Sequence, residues 1–186
     1  MKITLIRHGM TAGNREKRYI GKTDEVLCPE GIASLDGKKF LVPEILVSSP
    51  MKRCIQTAEI LFPGKPYVIC DDMRETDFGD FEGKNAAELS GDKHYQEWID
   101  SGGRMQFPNG ELPEDVLNRC CRGFDFITEK YSYAESIAFI VHGGTIMSVL
   151  NKYSEPHKDY YNWMTVNGSG WVCEFDGHTL IKPEKI

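Results

Sequence analysis

Short apolar runs alternate along this chain with longer stretches in which apolar residues recur every three or four positions. The runs fall at residues 3–6, 45–47 and 137–141, with a weaker fourth at 67–70. A brief, continuous apolar run bounded by turn-forming residues reads as a strand buried on both faces. After the second run, Met51, Cys54, Ile55, Ala58, Leu61 and Phe62 share one helical face. Ser49 suits the N-cap of that helix, and Pro50 suits its first position. A longer helix is predicted over 113–131, with Val116, Leu117, Cys120, Phe124 and Ile127 facing inward. A shorter one follows at 143–152. Residues 171–175 and 179–181 flank Asp176-Gly177-His178, the pattern of a β-hairpin. The alternation predicts a layered α/β fold with a mostly parallel sheet. Residues 84–112 break it. They are polar and glycine-rich, with a short helix expected at 93–99, and read as an insertion or lid shaping a pocket.

The 186 residues are enough for one domain, taken here as residues 1–186, and no internal repeat is visible. With 40% hydrophobic and 27% charged residues, the composition is that of a soluble globular protein. No apolar run approaches the roughly 20 residues of a membrane span. The apolar start gives way at once to Arg7-His8 with no small-residue cleavage site, so a cytoplasmic protein is expected. A net charge of −6 argues against a general nucleic-acid binder, though not against one cationic pocket. The six cysteines have no zinc-finger or Cys-x-x-Cys spacing and are expected to be reduced, buried thiols.

The chemistry collects where the strands end. Arg7-His8-Gly9 follows the first run, Ser48-Ser49-Pro50 and then Arg53 the second, and His142-Gly143-Gly144 the last. If these strands are parallel neighbours, two histidines and two arginines meet in the crevice where open α/β sheets bind ligands. Arg53 is odd in another way. It sits in the first helical turn, where the macrodipole disfavours cations, and it lies off the apolar stripe. A bound anion would reconcile charge and position; a solvated surface arginine is the alternative. For His8 the alternative is a hydrogen-bonded structural histidine, and Gly9, Thr11, Asn14 and the repeated His-Gly arrangement at 142–143 weigh against it. No metal-binding His-x-x-x-His or His-Glu-x-x-His pair occurs.

These residues match a known family. Arg7-His8-Gly9-Met10-Thr11-Ala12-Gly13-Asn14 resembles the Arg-His-Gly-x-Thr-x-x-Asn signature of the histidine phosphatase superfamily, the phosphoglycerate mutase-like proteins. The run from Ser48 to Ala58 is similar to its second block, with Cys54 where Ala is usual. Met73-Arg74-Glu75 followed by Gly79 and Phe81-Glu82-Gly83 resembles the block bearing the family's acid, and His142-Gly143-Gly144 the second-histidine block. The resemblance implies a three-layer α/β/α sandwich. It implies His8 as nucleophile, with Arg7, Arg53, His142 and Asn14 holding the phosphoryl oxygens, joined by backbone amides near Gly21 and Gly143. It implies Glu75 as the acid that protonates the leaving oxygen and later activates water. The residues alone do not single out Glu75, because Asp71, Asp72, Asp77, Asp80 and Glu82 lie close by. Two departures are Val141, where a small residue is common, and Leu112 after the Pro-x-Gly-Glu-like run Pro108-Asn109-Gly110-Glu111; the second bears on the outer pocket.

The expected function is hydrolysis of a small phosphorylated metabolite through a phosphohistidine intermediate, with no metal, no cofactor and no nucleic-acid or membrane partner. Such chemistry needs positioned cationic donors around the phosphoryl oxygens, here arginines in place of magnesium. The short chain resembles the small phosphatases of the superfamily, including the α-ribazole phosphatase-like group. The alternatives are phosphoglycerate mutase-type transfer and a catalytically silent phospholigand-binding module. Neither the physiological substrate nor the oligomeric state is legible.

Overall fold

The computed structural model describes residues 1–186. The predicted strands form as β1 (Lys2–Arg7), β2 (Ile45–Ser48), β3 (Tyr67–Ile69) and β4 (Ser136–Val141). β5 (Ser154–Glu155) and the C-terminal hairpin β6 (Gly170–Phe175) and β7 (Leu180–Lys185) complete one seven-stranded sheet in the order β3-β2-β4-β1-β6-β7-β5. β3, β2, β4 and β1 run parallel; β6 is antiparallel to β1 and to β7. The sheet is therefore mixed and largely parallel.

The apolar runs are continuous because both faces of the sheet are covered. Ile3, Leu5, Val47, Ile137, Phe139 and Val141 join one core with Phe124, Ile127, Ile146 and Val149. The latter four come from α5 (Pro113–Lys130) and α6 (Gly143–Tyr153). The alternate residues Ile6, Leu46, Ala138 and Ile140 pack on the other face with Cys54, Ala58 and Phe62. These belong to or adjoin α3 (Lys52–Leu61). The two-residue period of the strands thus divides one sheet between two helical layers. Two helices absent from the expected pattern precede α3: α1 (Ala12–Arg15), one turn long, and α2 (Pro29–Leu35).

The N-terminus of α3 differs from expectation. Its N-cap is Met51 without a side-chain cap bond, not Ser49. The Ser49 hydroxyl is drawn to His142, and the orphan amide of Lys52 donates instead to Asp24 Oδ1 at 2.7 Å. Residues 84–112 contain α4 (Lys93–Asp100) and are pinned by aromatic packing rather than hung as a polar flap. Phe81, Leu89 and Phe107 are buried together, flanked by Tyr19, Phe78, Tyr95 and Trp98. All six cysteines are buried and unpaired. No helix is long and apolar enough to cross a membrane.

Candidate active site

β2, β4 and β1 lie side by side with their carboxyl ends level, Ser48 beside Ile140 and Arg7 beside Val141. The next residue of each strand enters the same crevice. His8 and Ser49 are still tied to β4, through bonds from their amides to the carbonyls of Val141 and Ile140. His142 is the N-cap of α6. The imidazoles of His8 and His142 meet edge to face, with ring centroids 5.2 Å apart.

Both rings have an assignable proton. His8 Nδ1 lies 2.6 Å from the carbonyl oxygen of Gly9. A carbonyl only accepts, so Nδ1 carries the hydrogen and Nε2 keeps a free lone pair. Gly9 is itself fixed, its amide donating to Thr57 Oγ1 at 2.9 Å. His142 Nδ1 accepts from Arg53 Nε at 3.3 Å, which leaves its Nε2–H to donate to Ser49 Oγ at 2.8 Å. Burial holds both histidines well below the ordinary imidazole pKa, and the cationic side chains of Arg53 and Arg7 depress them further. Both rings are therefore neutral at pH 7.

Arg53 is neither solvated nor stranded in its helix: it is fully buried. Its guanidinium donates to the carbonyls of Thr23, Ile20 and Gly21, at 2.8, 3.4 and 2.9 Å, while Nε serves His142. These carbonyls offset the unfavourable helix-terminal position that made Arg53 conspicuous. Arg7 is the reverse case. One of its nitrogens donates to the carbonyl of Thr165 at 2.7 Å, and its buried Nε has no hydrogen-bond partner. Burial lowers the Arg7 pKa, against the attraction of Glu75 and with the repulsion of Arg53. A buried N–H without an acceptor is costly, and an anionic oxygen would satisfy it.

The geometry separates Glu75 from its acidic neighbours. Asp71 is exposed, and Asp72 pairs with Arg122 at 2.7 Å. Asp77 pairs with Lys22 at 3.1 Å, and Asp80 accepts from Asn109. Glu82 Oε1 accepts the amides of Gly21 and Thr23, both at 2.9 Å. Glu75 alone turns toward the histidines, with Oε2 4.0 Å from His142 Nδ1. Its Oε1 is held by the Thr76 amide at 2.9 Å, which leaves Oε2 as the oxygen available to a ligand.

The remaining expected residues divide. Asn14 closes a capping box on Thr11, and its Oδ1 also accepts from Asn167, which bridges to the carbonyls of His8 and Gly9. Gly143 opens α6 against Arg7: a Cβ there would lie 3.6 Å from the guanidinium carbon. The expectation for Gly21 needs correction. Its amide is engaged by Glu82 and its carbonyl by Arg53, so Gly21 supplies no free amide to the crevice. It must be glycine for a different reason, because a Cβ would overlap the carbonyl oxygen of Thr76, next to Glu75. No group of three or more His, Cys, Asp or Glu side chains is arranged to hold a metal ion.

Ser49, Thr57, Asn167 and Arg119 were not recognised as parts of the site from sequence. Ser49 and Thr57 lie inside a recognised block. Asn167 and Arg119 carry no local signal, since only the fold brings them near residues 8 and 75.

The sequence profile of the histidine phosphatase superfamily (branch 1) matches residues 3–181. The uncharacterized phosphatase PhoE of Bacillus subtilis is 31% identical over 179 residues, spanning 93% of this chain and 88% of that protein. The crystal structure of phosphoglycerate mutase from Thermus thermophilus superimposes with a TM-score of 0.77 at 26% identity, covering 100% of this chain and 99% of that one. The α-ribazole phosphatase of Shigella flexneri shares the fold, with a TM-score of 0.83 at 20% identity over 100% of this chain and 96% of that one.

Proposed function

The chain belongs to branch 1 of the histidine phosphatase superfamily, and from that premise we propose that it hydrolyses a small phosphomonoester through a phosphohistidine formed on His8, without a metal ion. One observation carries the reading: a neutral His8 with its Nε2 lone pair free shares a crevice with the buried, unpartnered Nε of Arg7.

In the first step His8 Nε2 attacks phosphorus while the bond from phosphorus to the ester oxygen breaks. Glu75 Oε2 gives its proton to that oxygen, releasing the alcohol. Arg7 and the one uncommitted N–H of Arg53 donate to the equatorial oxygens, His142 holds Arg53 and Ser49 in place beside them, Asn14 offers its amide nitrogen, and the first amides of α6 at Gly143 supply a helix N-terminus. In the second step the Glu75 carboxylate takes a proton from water as that water attacks phospho-His8. Inorganic phosphate leaves, His8 returns to its neutral form and Glu75 is protonated again. The positive charge that other phosphoryl-transfer sites draw from magnesium comes from the two guanidinium groups.

Turnover of 4-nitrophenyl phosphate in the presence of EDTA tests this directly. Wild type should release phosphate and His8→Ala should not. Undiminished turnover by His8→Ala would refute the nucleophile, and a strict requirement for added Mg²⁺ would refute the metal-free mechanism. A mutase would isomerise phosphoglycerate and release little free phosphate.

A further inference from the structure

Three arginines in this fold lie near the crevice, and their hydrogen bonds sort them. Arg7 leaves donors open, and Arg53 commits most of its own to carbonyls and His142. Arg119, on α5, commits every one. Its Nε and one terminal nitrogen form a fork on Glu111, at 3.0 and 2.9 Å. The other terminal nitrogen donates to the carbonyls of Asp72 and Arg74, both at 2.9 Å, and the last N–H reaches the carbonyl of Glu75 at 3.4 Å. A guanidinium has five N–H donors, so none remains for a substrate. Arg119 is buried, and nothing in its contacts makes it a phosphate ligand.

The carbonyls it gathers belong to the segment bearing the acid. Residues 74–78 lie between two 3₁₀ turns, Asp71–Met73 and Gly79–Phe81, with no strand beside them to absorb their backbone polar groups. Buried backbone carbonyls need donors, and Arg119 provides them where a sheet ladder would otherwise do so. Glu111 extends the clamp: its Oε2 accepts the Asp77 amide at 2.8 Å, and its own amide donates to the Asp77 carbonyl at 3.0 Å. The Pro-Asn-Gly-Glu run at 108–111 ends the insertion, yet its carboxylate turns inward instead of lining an outer pocket.

We infer that the Glu111–Arg119 pair is a positioning clamp for the general acid, fixing the backbone from which Glu75 reaches the leaving oxygen. The inference rests on the role proposed for Glu75. General acids contribute roughly 10²–10⁴-fold, and a misplacement of about 1 Å can cost about 10²-fold.

The test uses a series of substituted phenyl phosphates of similar size, from 4-nitrophenyl to 4-methoxyphenyl, with kcat/KM as the readout. That parameter stops at release of the phenol, so it excludes the water-activation step. Glu75→Gln should spare the good leaving group and depress the poor one, steepening the leaving-group dependence. Arg119→Lys, which keeps the charge but not the fork, should do the same, losing about 10- to 100-fold on 4-methoxyphenyl phosphate and under about 3-fold on 4-nitrophenyl phosphate. Glu75→Gln combined with Arg119→Lys should lose no more than Glu75→Gln alone. An equal loss across the series, or losses that multiply in the double variant, would overturn the clamp and leave Arg119 a structural residue. If Arg119→Lys does not fold, Glu111→Gln is read by the same criteria. If Glu75→Gln leaves the leaving-group dependence unchanged, the acid assignment falls and the clamp with it. If Glu75→Gln steepens it and the clamp variants do not, only the clamp is wrong.

Discussion

Mild acid should unfold this protein partly through the two histidines at its centre. His8 is 2% exposed and His142 0%, and both are held well below the ordinary imidazole pKa by burial and by Arg53. In the unfolded chain each should titrate near about 6.5. Below that pH the unfolded state binds more protons than the folded one. The stability owed to neutral burial is therefore fully present above about pH 6.5 and is lost as pH falls toward the depressed folded values. Within that window the loss approaches about 1.4 kcal/mol per pH unit for each histidine. Between pH 6.5 and 5.5 it integrates to about 1 kcal/mol each, or about 2 kcal/mol for the pair. Urea unfolding at those two pH values, in a phosphate-free buffer, measures it. The useful comparison is with His142→Gln, whose amide can keep the bond to Ser49 but does not titrate. Carboxylate contributions are common to both proteins and cancel. Wild type should lose about 1 kcal/mol more than His142→Gln over this unit of pH. Equal losses would refute the placement of a neutral, buried imidazole at position 142.

Two glycines beside Glu75 should respond differently to alanine. A Cβ at Gly21 overlaps a backbone carbonyl that cannot move freely, so Gly21→Ala should cost about 1–3 kcal/mol of stability in urea unfolding. A Cβ at Gly144 would fall 2.6 Å from Glu75 Oε1, the end of a side chain that can swing away, so Gly144→Ala should lower kcat/KM at little cost in stability. Arg53→Lys should lower kcat for 4-nitrophenyl phosphate by about 10²–10³-fold, because an ammonium cannot span His142 and the carbonyls of residues 20–23 while facing a phosphoryl oxygen.

The sheet was legible because burial on both faces writes itself as unbroken apolar runs, as at 137–141. The crevice was legible because three of those runs end in residues that a core would not choose. What escaped reading was set by distant partners. α1 is too short to show a helical period. Ser49 looked like a cap because sequence shows Pro50 beside it and not His142 across the sheet. For Arg53 the helix alone leaves a solvated alternative open, because the carbonyls that bury it come from a loop about thirty residues upstream. Glu75 could not be told from five neighbouring acids until the lysine, arginine, asparagine and amide partners of four of them, and the exposure of Asp71, were in view. Arg119 stood outside every recognised block, and its charge in an amphipathic helix resembles any surface arginine; only its five donors in the fold distinguish it.

In the proposed mechanism His8 Nε2 becomes covalently bound to phosphorus. Rapid mixing with a ³²P-labelled phosphomonoester, quenching in alkali and mapping the labelled peptide by mass spectrometry tests it most directly. An acid-labile, alkali-stable phosphoramidate is expected on His8 Nε2, formed at a rate no slower than turnover and absent from His8→Ala. Label on any other residue, or multiple turnovers with no covalent label on His8 at any time point, would contradict it.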